Sequence, residues 1–124
     1  MAGPSSSVAE LIAEGRYLAA AAIEEARGQK LEAEALFARG RDFARAARLA
    51  AERQDLLAQL THLLHGQEIA AATALADRLA PADPTLRTAA AALYEEHHVY
   101  REAALLYESS GELAQARRLY ERSG

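Results

Sequence analysis

The sequence contains no cysteine among its 124 residues. A disulfide framework, a thiolate metal site and a thiol nucleophile are therefore excluded. The same absence is typical of proteins in a reducing compartment, and we expect a cytoplasmic location. No apolar run approaches the roughly 20 residues that cross a bilayer as a helix. The opening residues MAGPSSS lack a basic segment followed by an apolar one, so we expect no secretory signal and no membrane partner.

Residues that favour β-sheets are also scarce. Val and Ile are few, so a sheet would lack its usual material, and only three prolines interrupt the chain. Hydrophobic residues make up 51% of the sequence, and much of this share is alanine, the strongest helix former. These features predict an all-α protein.

The sequence also lacks a basic surplus and a recognisable catalytic set. Its formal net charge is −4, whereas nucleic-acid-binding proteins usually carry excess positive charge on one face. No nucleophile stands with a plausible base, and no glycine-rich phosphate-binding loop occurs. We therefore expect no nucleic-acid partner, no enzyme activity, no catalytic residue and no cofactor.

Histidine supplies two possible metal motifs. His62 and His65 stand three residues apart, and the run from Glu95 to His98 reads EEHH. A zinc site needs three or four ligands, and nothing near the first pair completes a set. Adjacent residues of a helix point in different directions, and histidine suits the negative end of a helix. We expect no metal site.

The last quarter of the chain, residues 99–124, repeats itself at a step of about 13 residues. Tyr107 falls on Tyr120, and Gly111 falls on Gly124. Large and small residues three and seven positions apart lie on one face of a helix. Together with stop signals along the whole chain, this pattern predicts about nine short helices joined by tight turns, with antiparallel neighbours.

Capping residues predict where these helices begin and end. Ser7 with Glu10 fits a capping box, and Asp55 and Asp83 are predicted N-caps, the second followed by Pro84. Helix ends are predicted at single glycines: Gly15, Gly28, Gly40, Gly66 and Gly111.

The domain organisation follows from the same signals. Residues 1–6 are predicted to form a flexible N-terminal tail, and residues 7–124 a single α-helical repeat domain. Because the chain closes on another Ser-Gly stop, we expect either a piece of a longer solenoid or a short array whose last helix is a cap.

Four stretches share a motif of glycine, a large or aromatic residue, a small residue and a second large residue, although histidines replace the glycine in the last. The matching residues are Gly15-Arg16-Tyr17, Ala20 and Glu24; Gly40, Phe43 and Ala46; Gly66, Ile69, Ala72, Ala76, Leu79 and Pro84; and Tyr100, Ala103, Tyr107 and Ser110. In this motif the chain resembles the tetratricopeptide repeats. The spacings depart from that family's repeat of about 34 residues, so the resemblance is to a degenerate form.

The resemblance implies a right-handed α-α superhelix of helical hairpins whose concave groove binds a helical or extended peptide of a partner protein. It thus implies a protein–protein interaction module, a scaffold or adaptor. The groove residues that it implies are Leu31, Ala35, Ala38, Arg39, Leu57, Thr61, Leu64, His65, Thr88, Ala92, Glu95 and Glu96.

The core is expected to combine alanines where helices cross with larger residues between layers. The predicted crossing residues are Ala20, Ala46, Ala72, Ala103 and Ala116. The predicted filling residues are Tyr17, Phe43, Ile69, Tyr100, Tyr107 and Tyr120.

Two further interpretations concern the surface. The segment is alternatively a structural or oligomerisation part of a larger helical-repeat protein, self-associating through terminal helices that expose Leu113, Leu119 and Tyr120. A stripe of Arg41, Arg45 and Arg48 is either a patch for an acidic partner or a solvated helix face, and we favour the solvated face.

Overall fold

In the computed structural model, which describes residues 4–79 and 83–123, all regular secondary structure is α-helical. The helices are α1 (Pro4–Ala13), α2 (Tyr17–Ala26), α3 (Lys30–Arg39), α4 (Phe43–Glu52), α5 (Leu56–His65), α6 (Ile69–Leu79), α7 (Pro84–Glu96), α8 (Tyr100–Ser109) and α9 (Leu113–Ser123). The predicted all-α class is therefore confirmed for the described residues. None of these helices is long and apolar enough to cross a membrane.

The helices follow a regular step along the chain. The first six begin at residues 4, 17, 30, 43, 56 and 69, each 13 residues after the one before, and α8 and α9 begin 13 residues apart at 100 and 113. The step that the sequence shows in its last quarter thus extends over most of the chain. Two helices span 26 residues, well short of the tetratricopeptide length of about 34.

One turn geometry recurs between the helices. After α1, the Gly15 N–H donates to the Ile12 carbonyl at 3.0 Å and the Arg16 N–H donates to the Leu11 carbonyl at 2.8 Å. This pair of bonds is a Schellman motif, which satisfies carbonyls that the end of a helix leaves unpaired. The same two bonds close α2, α3, α4, α5, α7 and α8.

The motif needs one residue in the left-handed region, and glycine does not always occupy it. Gly15, Gly28 and Gly111 do so, but the same place holds Arg41, Gln54, Gln67 and His98, all with φ between 59° and 66°. Gly40 instead caps α3 with φ −83°. A Cβ on Gly40 would approach Leu18 Cδ2 to 2.6 Å, so a larger residue at this position needs the Leu18 side chain to move.

Side-chain caps fix several helix starts. Asp55 Oδ1 accepts from the Ala58 N–H at 3.0 Å, and Asp83 Oδ1 accepts from the Thr85 N–H at 2.9 Å, which confirms both predicted N-caps. The predicted capping box at Ser7 is wrong. Helix α1 begins at Pro4 and already includes Ser7, because proline suits the first position of a helix.

The chain divides into two compact units, Met1–His62 and Leu63–Gly124. In the first unit α1 packs on α2, α2 on α3 and α3 on α4; in the second α6 packs on α7, α7 on α8 and α8 on α9. Helix α1 reaches into the predicted tail, while residues 1–3 lie outside the described residues. The single domain over residues 7–124 stays a prediction.

Alanines form the contact points of both cores, as predicted. Every predicted crossing residue is buried, with exposures between 0% and 3%: Ala20, Ala46, Ala72, Ala103 and Ala116. In the first unit Ala20 and Ala46 share one apolar cluster with Phe37 and Leu49. A methyl side chain at these points lets the helix backbones approach closely, as the sequence indicated.

Most of the predicted filling residues are less buried than expected, although Tyr17 packs against the core of the first unit. Of that set only Tyr107 is buried, whereas Tyr17, Phe43, Ile69, Tyr100 and Tyr120 are half-buried. Four of these five stand first in their helices, where the side chain lies at the rim of the hairpin. The largest fully buried side chains are instead Tyr94, Phe37, Leu49, Leu60 and Leu119, which lie further along their helices.

Candidate functional site

The predicted partner-binding residues of α3 lie on one exposed stripe of the first unit. Leu31, Ala35 and Arg39 are four residues apart and all exposed, Leu31 to 61%. Ala38, which was predicted with them, is half-buried and packs against the core. The Arg39 guanidinium lies 4.4 Å from the centre of the Tyr17 ring and donates to its hydroxyl at 3.2 Å.

The α5 residues predicted for the same surface are less accessible. Leu57 and Thr61 are half-buried, and the Thr61 hydroxyl donates to the Leu57 carbonyl at 2.8 Å. That hydroxyl is therefore already satisfied within the helix.

In the second unit, Leu64 and His65 line a cavity of about 470 Å³. Its other lining residues are Gln67, Ile69, His97 and Val99. The rings of His65 and His97 meet edge to face with their centres 4.7 Å apart, and His97 Nδ1 lies 2.9 Å from the Leu93 carbonyl. The sequence did not predict this histidine pair, because His65 ends α5 whereas His97 follows α7.

A second cavity of the same unit, of about 370 Å³, is lined by Ala92, Glu95 and Glu96 from α7. It is completed by His98, Tyr100 and Arg122. The Arg122 guanidinium lies 5.1 Å from the centre of the Tyr100 ring, an arrangement typical of a cation–π contact. Three predicted residues thus meet side chains from α8 and α9 that sequence reasoning did not include.

The two glutamates of this cavity differ in their partners. Glu95 accepts from the Tyr107 hydroxyl at 3.3 Å and from Arg118 Nη2 at 3.1 Å. Burial, followed by the negative charge of Glu95, raises the pKa of Tyr107. Glu96 is exposed and forms no ion pair with any residue that the structure describes. The cavity therefore has one neutralised and one available carboxylate.

Thr88, the remaining predicted residue, lines neither cavity. Its hydroxyl donates to the Pro84 carbonyl at 3.0 Å, one turn earlier in α7. This bond within α7 satisfies the Thr88 hydroxyl without a partner protein.

A buried carboxylate of the first unit escaped sequence analysis. Glu34 is only 6% exposed, and Arg53 binds it with two bonds of 2.8 Å and 3.0 Å. His62 Nε2 lies 2.8 Å from its second oxygen. The bond from Arg53, assisted by His62, holds the pKa of Glu34 below its ordinary value against the opposing effect of burial. We call these three residues the Glu34 cluster.

His62 and His65, which the sequence places three residues apart, contact different side chains. His62 bonds to Glu34 in the first unit, and His65 contacts His97 in the second. Among the residues that the structure describes, no three His, Asp or Glu side chains are arranged to hold a metal ion.

The arginine stripe on α4 is engaged within the chain. Arg45 pairs with Asp42 at 3.4 Å, Arg48 with Glu25 at 2.8 Å, and the Arg41 guanidinium lies 5.4 Å from the centre of a phenylalanine ring. Each of the three arginines thus has a partner within the chain.

No protein-family model matches the chain, and neither a curated protein nor a solved structure matches it.

Proposed function

We propose that this chain is a protein–protein interaction module, a helical-repeat scaffold or adaptor that binds a helical or extended peptide of a partner. One observation carries the proposal: residues predicted to contact the partner line two cavities of the second unit. Leu64 and His65 line the first, and Ala92, Glu95 and Glu96 line the second. Their volumes of about 470 and 370 Å³ lie in the range of ligand pockets.

The chemistry of the two cavities suits an amphipathic peptide. The first offers the aliphatic side chains of Leu64, Ile69 and Val99. The second offers the available carboxylate of Glu96 beside the Tyr100 ring. A peptide helix that carries apolar and basic residues on one face offers side chains for both kinds of surface.

We further propose that the hairpins stack as in the tetratricopeptide-like superhelix that the resemblance implies. The regular 13-residue step supports a repeat array, since each unit of such an array contacts only its neighbours. The 26-residue hairpin favours a short-repeat variant of that architecture. A cytoplasmic location, without a cofactor, fits this role.

A selection from a displayed random-peptide library tests the proposal. Peptides enriched on the wild type are expected to lose affinity at least about tenfold for Ala92→Arg, because the new side chain fills the cavity beside Glu96. The matched control is Ala114→Arg, which adds the same group at an exposed position of α9. If both variants keep the peptides, or if none is enriched, the proposed groove is wrong.

Self-association is the second candidate function, and one exposed side chain favours it. Leu113, first in α9, is 65% exposed, whereas Leu119, predicted to be exposed with it, is fully buried and cannot contribute. Sedimentation velocity over a wide concentration range distinguishes the two functions. A mass that grows with concentration in the wild type, but not in Leu113→Ser, would establish assembly through α9.

A further inference from the structure

The 13-residue step allows equivalent positions of the two units to be compared. Counted from the start of each helix, Glu25 of α2 and Asp77 of α6 are both ninth. Arg48 of α4 and Leu105 of α8 are both sixth. Helices α2 and α4 therefore correspond to α6 and α8, two helices apart in each unit.

In the first unit an arginine joins these two helices. Arg48 Nη2 donates to Glu25 Oε2 at 2.8 Å, with the guanidinium about half exposed and the carboxylate one-third exposed. The arginine stem crosses from α4 towards α2, and its charged end neutralises the carboxylate. The first unit thus shows how an arginine side chain binds a carboxylate at this position of the repeat.

The second unit has the carboxylate but lacks the arginine. Asp77 takes the place of Glu25, and Leu105, 50% exposed, takes the place of Arg48. At this location lies a cavity of about 150 Å³, lined by Thr73, Ala76, Asp77, Tyr94, Glu102, Leu105, Leu106 and Ser109. We call it the α6/α8 cavity.

Two carboxylates give this cavity a negative charge. No lysine, arginine or histidine of the described residues forms an ion pair with Asp77 or Glu102. Glu102 is the third residue of α8, and the third residue of the equivalent helix α4 is Arg45. An acidic residue thus replaces a basic one at this position. Burial, and then the charges of these two carboxylates, raise the pKa of Tyr94, which forms part of the lining.

We propose that the α6/α8 cavity binds an arginine side chain of a partner protein, which takes the place that Arg48 occupies in the first unit. The carboxylates of Asp77 and Glu102 accept from the guanidinium, and its aliphatic stem lies on Leu105. The proposal uses side chains other than those of the two peptide-binding cavities, so it stands or fails independently of the proposed function.

The size and shape of the cavity favour a single arginine. A cavity of 150 Å³ accommodates a group about as large as benzene, which is one side chain and not a helix. Guanidinium has several donors in one plane and can bind two acceptors at once, whereas a lysine ammonium is a strongly hydrated point charge. Arginine is also among the residues that contribute most to protein interfaces.

Titration with a minimal probe tests the proposal directly. N-acetyl-arginine methylamide is added to ¹⁵N-labelled protein, and the amide shifts of α6 and α8 are followed by NMR. We expect saturable shifts at Asp77 and around Glu102 below about 20 mM, since single-residue ligands bind weakly. N-acetyl-citrulline methylamide has nearly the same shape without charge and should bind about tenfold more weakly. Equal binding of the two probes, or no saturable shift, would overturn the proposal.

Two variants assign the effect to the cavity. Asp77→Asn/Glu102→Gln should weaken probe binding about tenfold, while Glu10→Gln/Glu121→Gln, which removes the same charge at exposed positions, should leave it unchanged. Equal loss in both double variants would show that only net charge matters and would contradict the site.

A further variant supplies the arginine from the protein itself. Leu105→Arg recreates the arrangement of Arg48 and Glu25, so its own side chain should occupy the cavity and abolish saturable binding of the probe. Circular dichroism confirms that each variant keeps its helicity. Probe binding by a folded Leu105→Arg protein at wild-type strength would also refute the proposal.

Discussion

At Glu34 the chain places a carboxylate where the next two helices have a buried apolar residue. Glu34 is fifth in α3, and the fifth residue is Ala47 in α4 and Leu60 in α5, both buried. His62 is the seventh residue of α5, and the seventh residue of α4 is the buried Leu49. The two polar residues occur at positions where His62 Nε2 meets the Glu34 carboxylate, whereas His62 Nδ1 is buried without a hydrogen-bond partner among the described residues. A buried polar network of this kind is costly when it is incomplete and selects one packing arrangement when it is complete.

Removing the carboxylate should destabilise the first unit more than replacing the whole pair. We expect Glu34→Ala to lower the free energy of unfolding by about 2 kcal/mol, because Arg53 and His62 lose a charged hydrogen-bond partner. The double variant Glu34→Leu/His62→Leu should recover most of this loss, since well-packed apolar residues often replace a buried ion pair without cost. Urea unfolding measures both, with Glu10→Ala as the exposed control. A double variant no more stable than Glu34→Ala would contradict the argument.

The Glu34 cluster should also make the protein sensitive to acid. The native pKa of Glu34 lies below its ordinary value of 4.5, so the unfolded state binds more protons in acid. The hydrogen bond from the Ala58 N–H, together with Arg53, lowers the pKa of Asp55 in the same direction. The stability that both groups contribute is present above about pH 5 and is lost as the pH falls through their native pKa values. Urea unfolding between pH 7 and pH 3 should show this decline, and it should be shallower in Glu34→Leu/His62→Leu.

At the scale of the helix, one turn serves nearly the whole chain although its sequence varies. The left-handed residue is glycine after α1, α2 and α8, but it is Arg41, Gln54, Gln67 or His98 elsewhere. A side chain in this conformation costs about 1 kcal/mol. The turn persists because its two backbone bonds and the packing of the flanking helices determine it.

Relieving that strain at Gln54 should stabilise the protein. Gln54 has φ 59° and is exposed, so replacing it removes no buried contact. We expect Gln54→Gly to raise the free energy of unfolding by about 0.5–1 kcal/mol, and Gln54→Ala, which keeps the Cβ, to leave it nearly unchanged. Thermal unfolding of the two variants compares them directly. Equal stabilisation by alanine would show that the side chain, and not the backbone conformation, was unfavourable.

These turns also explain what the sequence could and could not predict. Alanine content, capping aspartates and single glycines sufficed for the helices, and Asp55 and Asp83 cap as predicted. The 13-residue step was visible only in the last quarter, because its strongest marker, a left-handed glycine, is replaced at four turns. The Glu34 cluster and the pair of His65 and His97 could not be predicted, since each joins residues that are far apart in the sequence.

At the scale of the whole molecule, helices pack mainly against helices that are adjacent in the sequence. Within each unit the packing runs from one helix to the next, so each core is a sum of local interfaces. Among the described residues, the largest fully buried side chain of the first unit is Phe37 and that of the second is Tyr94, and each lies six residues before the first residue of the following helix. These two aromatic residues are matched probes of how far a local loss of packing spreads.

Phe37→Ala and Tyr94→Ala should each loosen their own unit selectively. Truncating a fully buried aromatic side chain costs about 3–5 kcal/mol, and in a repeat array that loss is carried first by the adjoining helices. Native-state hydrogen exchange should therefore show faster exchange in α2–α4 than in α7–α9 for Phe37→Ala, and the reverse for Tyr94→Ala. Equal acceleration in all the described helices by either variant would contradict this expectation. It would instead support the single domain over residues 7–124 that the sequence predicts, since only a fully cooperative core transmits a local cavity to every helix.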